Sequence, residues 1–433
     1  MPFETMPAAR KRIAVIGGGI SGMGAAYALA SEHSVTLFEA EPRLGGHART
    51  ITAGRRGDQP VDTGFLVFNY ANYPNMAQLF DELDVPVVKS NMSFGASIDG
   101  GRLEYGLASL NALFAQRSNA LNPRFLGMVR DIFRFNRDGL RIANADRTRT
   151  VGQFLEALGT GAWFRDYYLL PLSGAIWSTP TQKIMDFPAH AMIQFFENHA
   201  LLNTTGQHQW YTVDGGSVQY VQRLEAALLA HGADIRLGAP VQAVRRTAGG
   251  AQVKAWGDTW EMFDEVVFAT HSDDSLAMLD DPTEVERAAL GAVKYQPNDV
   301  VLHCDDSIMP NKRQTWSSWV YTEDRNCRSD RIDLTYWINS LQPIPMDDPH
   351  FVTLNTKRTI REDRIYDQTV LRHPVYDLAA LAAQDTVRAI NGENHTWFCG
   401  AWMRHGFHED GLSSGLDVAH AITRTPTVQV AAE

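Results

Sequence analysis

Along the chain, the first apolar signal is a short run at 13–16 that stops at a cluster of glycines. A small-residue stretch of good helix formers follows at 22–30, then a second apolar run at 35–38. Short unbroken apolar runs on either side of a helix read as buried parallel strands, so this opening predicts a β-α-β unit, the start of a doubly wound α/β sheet. The span 13–30 carries no charge and is long enough to mimic a membrane-crossing helix. Its five glycines, Gly17, Gly18, Gly19, Gly22 and Gly24, argue for strand, turn and helix instead. The same grammar returns late, with a helical 218–230, strand-like 253–256 and 266–269, and 397–399 running into Gly400. The sheet domain is therefore expected to be discontinuous, built from 10–72, 205–295 and 372–426. Between its pieces, 73–204 reads mostly helical with breaks at Pro123, Pro171, Pro180 and Pro188, and 296–371 holds β-rich runs at 300–303, 316–321 and 334–338. Both are assigned to one α+β substrate domain inserted into the sheet domain.

The glycine cluster has the spacing Gly17-x-Gly19-x-x-Gly22 between strand and helix. Such a loop allows a tight turn, a close approach of pyrophosphate to the backbone, and tight helix-strand packing, with the helix N-terminus facing the phosphates. Glu39 ends the second strand, 22 residues after Gly17, where a carboxylate accepts the ribose hydroxyls of an adenosine. Ala40 and Glu41 offer no arginine for a 2′-phosphate, which disfavours NADP. The chain has one such fingerprint, and so one dinucleotide site is expected.

Composition narrows the field further. In 433 residues, 39 Lys+Arg against 50 Asp+Glu leave −11, which excludes an all-over basic nucleic-acid binder. Three cysteines, Cys304, Cys327 and Cys399, are too few and too scattered for a disulfide framework or a four-cysteine zinc site, and point to a reducing compartment. The opening MPFETMPAARKR has no long apolar region behind its charges, so no secretory signal is read and a cytoplasmic location is expected.

The segments Arg43-Leu44-Gly45-Gly46-His47-Ala48-Arg49-Thr50 and Val61-Asp62-Thr63-Gly64-Phe65 resemble the flavin amine oxidase superfamily, whose corresponding loops lie along FAD. The resemblance recurs at Phe398-Cys399-Gly400 and at Gly406-Phe407-His408-Glu409-Asp410-Gly411-Leu412-Ser413-Ser414-Gly415, similar to the superfamily's closing motif, in which a helix N-terminus faces the flavin. It implies a glutathione-reductase-like FAD-binding Rossmann domain. It also implies non-covalent FAD, since the tethering cysteine motif is absent. The implied FAD contacts are Gly17, Gly19, Gly22, Glu39, Arg43, Gly45, Gly46, His47, Gly64, Phe65, Gly400, Asp410, Gly411, Leu412 and Gly415. His405, Phe407, His408 and Glu409 would lie near the flavin's substrate face, where a base role for the titratable three is expected rather than a metal site. Glu197 and His199 are further candidates for the pocket.

The middle of the chain, at Pro171-Leu172-Ser173-Gly174-Ala175-Ile176-Trp177-Ser178, Phe195-Phe196-Glu197-Asn198-His199 and Gln209-Trp210-Tyr211-Thr212-Val213-Asp214-Gly215-Gly216-Ser217, is similar to a bacterial family of FAD-binding proteins. That family also resembles the N-terminal domain of plant cyclopropane fatty acid synthases and accompanies cyclopropane synthase-like methyltransferases. The resemblance implies oxidation or desaturation of an unsaturated or methylated acyl chain of a fatty acid or phospholipid, with a lipid methyltransferase as candidate partner. Two features depart from amine oxidases: Phe407 stands where a tyrosine is common, and Val300-Val301-Leu302-His303 carries no lysine. Amine oxidase, polyene desaturase and non-catalytic accessory subunit of a methyltransferase remain the alternatives.

One charged stretch stands apart. Residues 117–149 hold eight arginines against three aspartates, a local +5, and Arg130, Arg134, Arg137 and Arg141 recur at helical spacing. With Phe125, Val129, Ile132, Phe133 and Leu140 on the opposite side, this reads either as a basic amphipathic helix lying on an anionic membrane, placing the protein at the periphery of the inner membrane, or as a solvated face over a helix packed on the core.

Overall fold

The computed structural model describes residues 10–177, 184–203, 206–323 and 331–424. Strand Arg12–Ile16, helix Ile20–Ala30 and strand Ser34–Phe38 form the predicted β-α-β unit. Arg12–Ile16 sits at the centre of a five-stranded parallel sheet, flanked by Glu265–Phe268 and Ser34–Phe38, with Thr396–Phe398 and Asp234–Arg236 at the edges. The centre is buried on both faces. Ile13 and Val15 pack with helix Ile20–Ala30 in one apolar cluster, while Ala14 and Ile16 join Phe268 and Phe398 in another. Both parities are therefore apolar, which is why the strand reads as an unbroken run. The sequence pieces expected in the sheet are there, except that 253–256 belongs to strand Gly250–Ala255 of a separate antiparallel sheet with Val241–Thr247 and Glu261–Phe263.

A seven-stranded sheet forms the other half, in the order Ile365–Val375, Lys294–His303, Phe351–Leu354, Asp333–Trp337, Trp319–Glu323, Phe94–Ile98, Leu103–Gly106. The stretch 73–204 is thus less helical than its pattern predicts. Phe94–Ile98 pairs in parallel with Trp319–Glu323, so strands from the two stretches assigned to the substrate domain meet in one sheet. Val87–Ser90 pairs instead with Trp210–Val213. The long strands Lys294–His303 and Ile365–Val375 pair with each other and run across the positions 295/296 and 371/372 chosen as boundaries.

Of the proline breaks, Pro123 starts helix Pro123–Ala145, whose first turn is capped by the Asn122 side chain, and Pro188 precedes Ala189–Asn198. Pro171 does not break its helix: the helical backbone runs without interruption from Ala162 to Trp177, and Pro171 directly follows a widened turn at Arg165–Leu169 that accommodates its missing N–H. Pro180, Ser178 and Cys327 lie outside the described residues.

The arginine-bearing helix packs on the core. Phe125 is buried, and Val129, Ile132 and Leu140 pack beside it, so the face expected to dip into lipid is already covered. Phe133 is on the other side: at about 100° per residue it falls in line with Leu126, Arg130, Arg137 and Arg141, and it is 58% exposed. Arg130 pairs with Asp131, Arg137 and Arg141 with Asp138, and Arg134 donates to the Gly159 carbonyl. Among the described residues no helix is long and apolar enough to cross a membrane.

Candidate active site

In a parallel sheet the crevice lies beyond the carboxyl ends of the strands. Gly17, Glu39, the segment Ala269-Thr270-His271 and the segment Cys399-Gly400 all follow such ends. Gly17 adopts a left-handed φ of +109° and bonds the Phe38 carbonyl, and a Cβ at Gly22 would lie 1.9 Å from the Gly17 oxygen. A Cβ at Gly19 would meet nothing within 4 Å, and no side chain caps the helix that begins at Ile20. The loop is therefore closed where packing demands it and open where a pyrophosphate would approach, which fits a dinucleotide. Glu39 accepts from Gly18 N (2.6 Å) and Glu41 N (2.8 Å), fixing its carboxylate beside that opening.

A second helix N-terminus joins the first. Gly411 lies against Ile20 and Ser21, Gly415 against Ser21 and Ala25, and Leu412 against Gly24, so helix His408–Arg424 runs parallel to Ile20–Ala30 with the two amino ends together. Gly411, Leu412 and Gly415, expected as cofactor contacts, serve this close packing, and Leu412 is buried in it. Two positive helix ends side by side favour a ligand with several negative charges. Asp410 accepts from the Phe407 N–H, and burial raises its pKa.

The loop 43–50 is held from within. Arg43 donates to the carbonyls of Leu44, Gly46 and Ala48 and pairs with Glu41, so its guanidinium shapes the loop. Gly45 N bonds Gly18 O and brings the loop onto the fingerprint turn. Gly64 lies against the His47 carbonyl, where a Cβ would come within 1.9 Å, and Phe65 stacks on His408 with centroids 4.1 Å apart. Next to Gly64, buried Asp62 accepts from Thr50, Ser217 and Gln342. Gly400 donates to Ser414 Oγ at the end of its strand. Cys399 is buried in the core, its thiol pushed up to about 12 by burial, which leaves it inert.

Four histidines gather beside this loop. The His47 ring lies 5.5 Å from His373 and 5.8 Å from His271, and His408 bonds the Tyr220 hydroxyl at 2.6 Å. Burial holds His271, His373 and His408 down to about 3, with the neighbouring His47 adding to the shift, and lowers His47 as well, so all four are neutral imidazoles. His271 and His373 escaped the sequence reading. The first stands at a strand's carboxyl end, a position that could have flagged it; the second enters through antiparallel pairing opposite Gln296, which leaves no local mark. Asn298, buried in the same strand as Gln296, bonds His373 Nδ1 at 2.8 Å.

The candidate reacting residues part company. His405 is exposed and Glu197 is exposed. Glu409 is buried at the N-terminus of helix Pro74–Glu82, accepting from Asn75 N, Asn75 Nδ2 and Met76 N, so both its oxygens are committed to a helix end and it offers no base. Phe407 stacks on Phe195 (centroids 4.8 Å, planes 16°), Phe195 on His199 (3.8 Å), and His199 faces Trp210 (6.3 Å). Behind this row stand Trp177 and Phe187, and Tyr376, another residue the sequence reading missed, lies against Gly406. His199 Nδ1 is 2.9 Å from the Phe195 carbonyl, which fixes the proton there and leaves Nε2 unprotonated; burial takes its pKa down to about 4.

Comparison with known proteins agrees with this geometry. The family model described as flavin containing amine oxidoreductase matches residues 20–325. A short segment of 42 residues is 52% identical to protoporphyrinogen oxidase 2 of Arabidopsis thaliana, covering 10% of this chain and 8% of that protein. The fold is similar to that of a CLA-producing fatty acid isomerase from P. acnes (TM-score 0.68, 14% identity, 96% of this chain and 98% of the other). It is also similar to that of cyclohexylamine oxidase from Brevibacterium oxydans (TM-score 0.65, 15% identity, 96% and 100%). With 306 of its 433 residues inside the match, the chain belongs to the flavin containing amine oxidoreductase family and is an FAD-dependent oxidoreductase.

Proposed function

We propose that this oxidoreductase acts on an acyl chain of a fatty acid or phospholipid. The observation that carries the reading is the row Phe407, Phe195, His199 and Trp210, backed by Trp177 and Phe187. It is a wall of apolar rings around an imidazole kept neutral, suited to a long apolar substrate. The sequence resemblance to FAD-binding proteins that accompany lipid methyltransferases supports it, as does the fatty acid isomerase among the structural neighbours. Amine oxidation is less well served: strand Lys294–His303 has its lysine at the outer end, exposed and donating to the Gly291 carbonyl.

FAD, when bound, supplies the acceptor for a hydride or electron pair. The glycine loop, Glu39 and the paired helix ends hold its charged and polar parts. Phe407 and Phe195 position the reacting carbon and exclude water, and His199 Nε2 holds a proton released from the neighbouring carbon. An isolated alkane C–H is a poor hydride donor, so the target is an allylic or otherwise activated position. The meeting with lipid is placed at the outer side of helix Pro123–Ala145. There Leu126 and Phe133 stand in line with Arg130, Arg137 and Arg141, and Leu121 (88% exposed) ends the short turn that precedes the helix.

The test is anaerobic mixing of FAD-loaded protein with linoleate, an unsaturated phosphatidylglycerol and hexylamine. Bleaching of flavin by either acyl compound and not by the amine is expected. Bleaching by the amine alone would overturn the reading.

A further inference from the structure

A cleft of about 630 Å³ opens between strand Val87–Ser90, residues 207–210 and residues 339–343. Two separate chains of contact tie it to the flavin site. One wall is Trp210, the outer end of the ring row that leads through His199 and Phe195 to Phe407. On another side, Gln342 donates to buried Asp62 and accepts from its N–H, two residues before Gly64 in the flavin loop. The cleft thus abuts the reaction centre from outside.

Its lining differs from the row behind it. Ser90, Gln209 and Asn339 are bonded within the protein. Lys89, Asn91, Gln207 and His208 have no side-chain partner among the described residues. Among the described residues no carboxylate lines the cleft, in a chain whose net charge is −11. Lys89 is exposed and lines the cleft; in its strand it pairs with Tyr211, one position along from the Ser90–Trp210 pair. An uncompensated ammonium among amide and imidazole groups attracts an anion, and nothing here would hold a cationic head.

We propose that this cleft seats an anionic head, a carboxylate or a phosphate, with Lys89 as its counter-ion and Asn91 and Gln207 as donors. Resting on the acyl reading, this makes the substrate an acyl chain with a charged end, entering past Trp210 tail first.

Labelling of FAD-loaded protein with an amine-acylating reagent, mapped by mass spectrometry, tests the subsite without turnover. Hexanoate or inorganic phosphate should slow acylation of Lys89 several-fold relative to exposed Lys312, whereas methyl hexanoate and hexylamine should not. Protection by hexanoate alone identifies a carboxylate head, and by phosphate alone a phosphate head. In parallel, Lys89→Gln should weaken binding of linoleate, read from the flavin spectrum, about tenfold and leave methyl linoleate unchanged; Lys89→Arg should restore it. Equal labelling with and without the anions overturns the subsite even if linoleate bleaches the flavin. Protection of Lys89 without bleaching by any acyl compound retains the subsite and overturns the acyl reading.

Discussion

Glu409 holds Asn75: its Oε1 accepts both the Asn75 backbone N–H at 3.0 Å and the side-chain amide at 2.7 Å, joining two helices 334 residues apart in the chain. A residue that sits in a flavin-facing motif is thereby a helix cap. Glu409→Ala should lower stability by about 1–3 kcal/mol, the cost of leaving buried donors unsatisfied. Glu409→Gln should keep most of the turnover. Urea unfolding and steady-state rates check both; a collapse of rate with Gln at unchanged stability would restore Glu409 as a base.

The cofactor half of the molecule was legible because its signals are local. Residues 12–38 carry strand, loop, helix and strand within one stretch, and Gly17, Gly19 and Gly22 each meet the steric demand that the spacing implies. The site's polar part was legible only at His47 and His408. His47, His271, His373 and His408 come together only through the long strand pairing of Ile365–Val375 with Lys294–His303 and the docking of the last helix. Strands Phe94–Ile98 and Leu103–Gly106 fall inside a stretch that reads mostly helical; their apolar residues do alternate, but over only five and four residues, too short a signal to stand out from the helical pattern around them.

Glu39 holds the turn at Gly18 and faces the open side of the fingerprint. Its removal should weaken FAD binding ten- to a hundredfold, as expected for charge-assisted hydrogen bonds worth about 1.5–3 kcal/mol. Flavin titration of Glu39→Ala measures this, and unchanged affinity would dissociate Glu39 from the cofactor. Denaturation should release all flavin from the wild type, since Cys399 is buried and inert.

The neutral histidines make stability acid-sensitive. His271, His373 and His408 fall to about 3 in the folded chain against about 6.5 unfolded, so their stabilising contribution is complete above pH 6.5 and is lost as pH falls toward 3. Near pH 5 these three imidazoles are protonated in the unfolded chain and neutral in the folded one, so their contribution makes stability rise with pH there. His373→Gln should make that rise shallower. Unfolding free energies measured between pH 4.5 and pH 6 decide it, and a flat profile would mean the histidines are charged or solvated.

The lipid encounter proposed for the exposed side of helix Pro123–Ala145 would draw on two kinds of affinity. Leu126 and Phe133, with Leu121 exposed in the turn before the helix, offer apolar surface, and Arg130, Arg137 and Arg141 stand in line with the first two, although each is already paired with an aspartate. Arginines near an anionic surface are worth about 1 kcal/mol each, and their paired aspartates reduce this, so the apolar residues must carry a comparable share. Sedimentation with phosphatidylglycerol vesicles should therefore show binding that weakens with salt without vanishing, since the Debye length falls from about 10 Å at 0.1 M to about 3 Å at 1 M. Changing Leu121 and Phe133 to Ser should abolish the salt-resistant part, and changing the three arginines to Gln should remove the salt-sensitive part. Absence of wild-type binding at low salt, or equal binding by all three proteins, would leave this helix face a solvated surface and move the lipid encounter elsewhere.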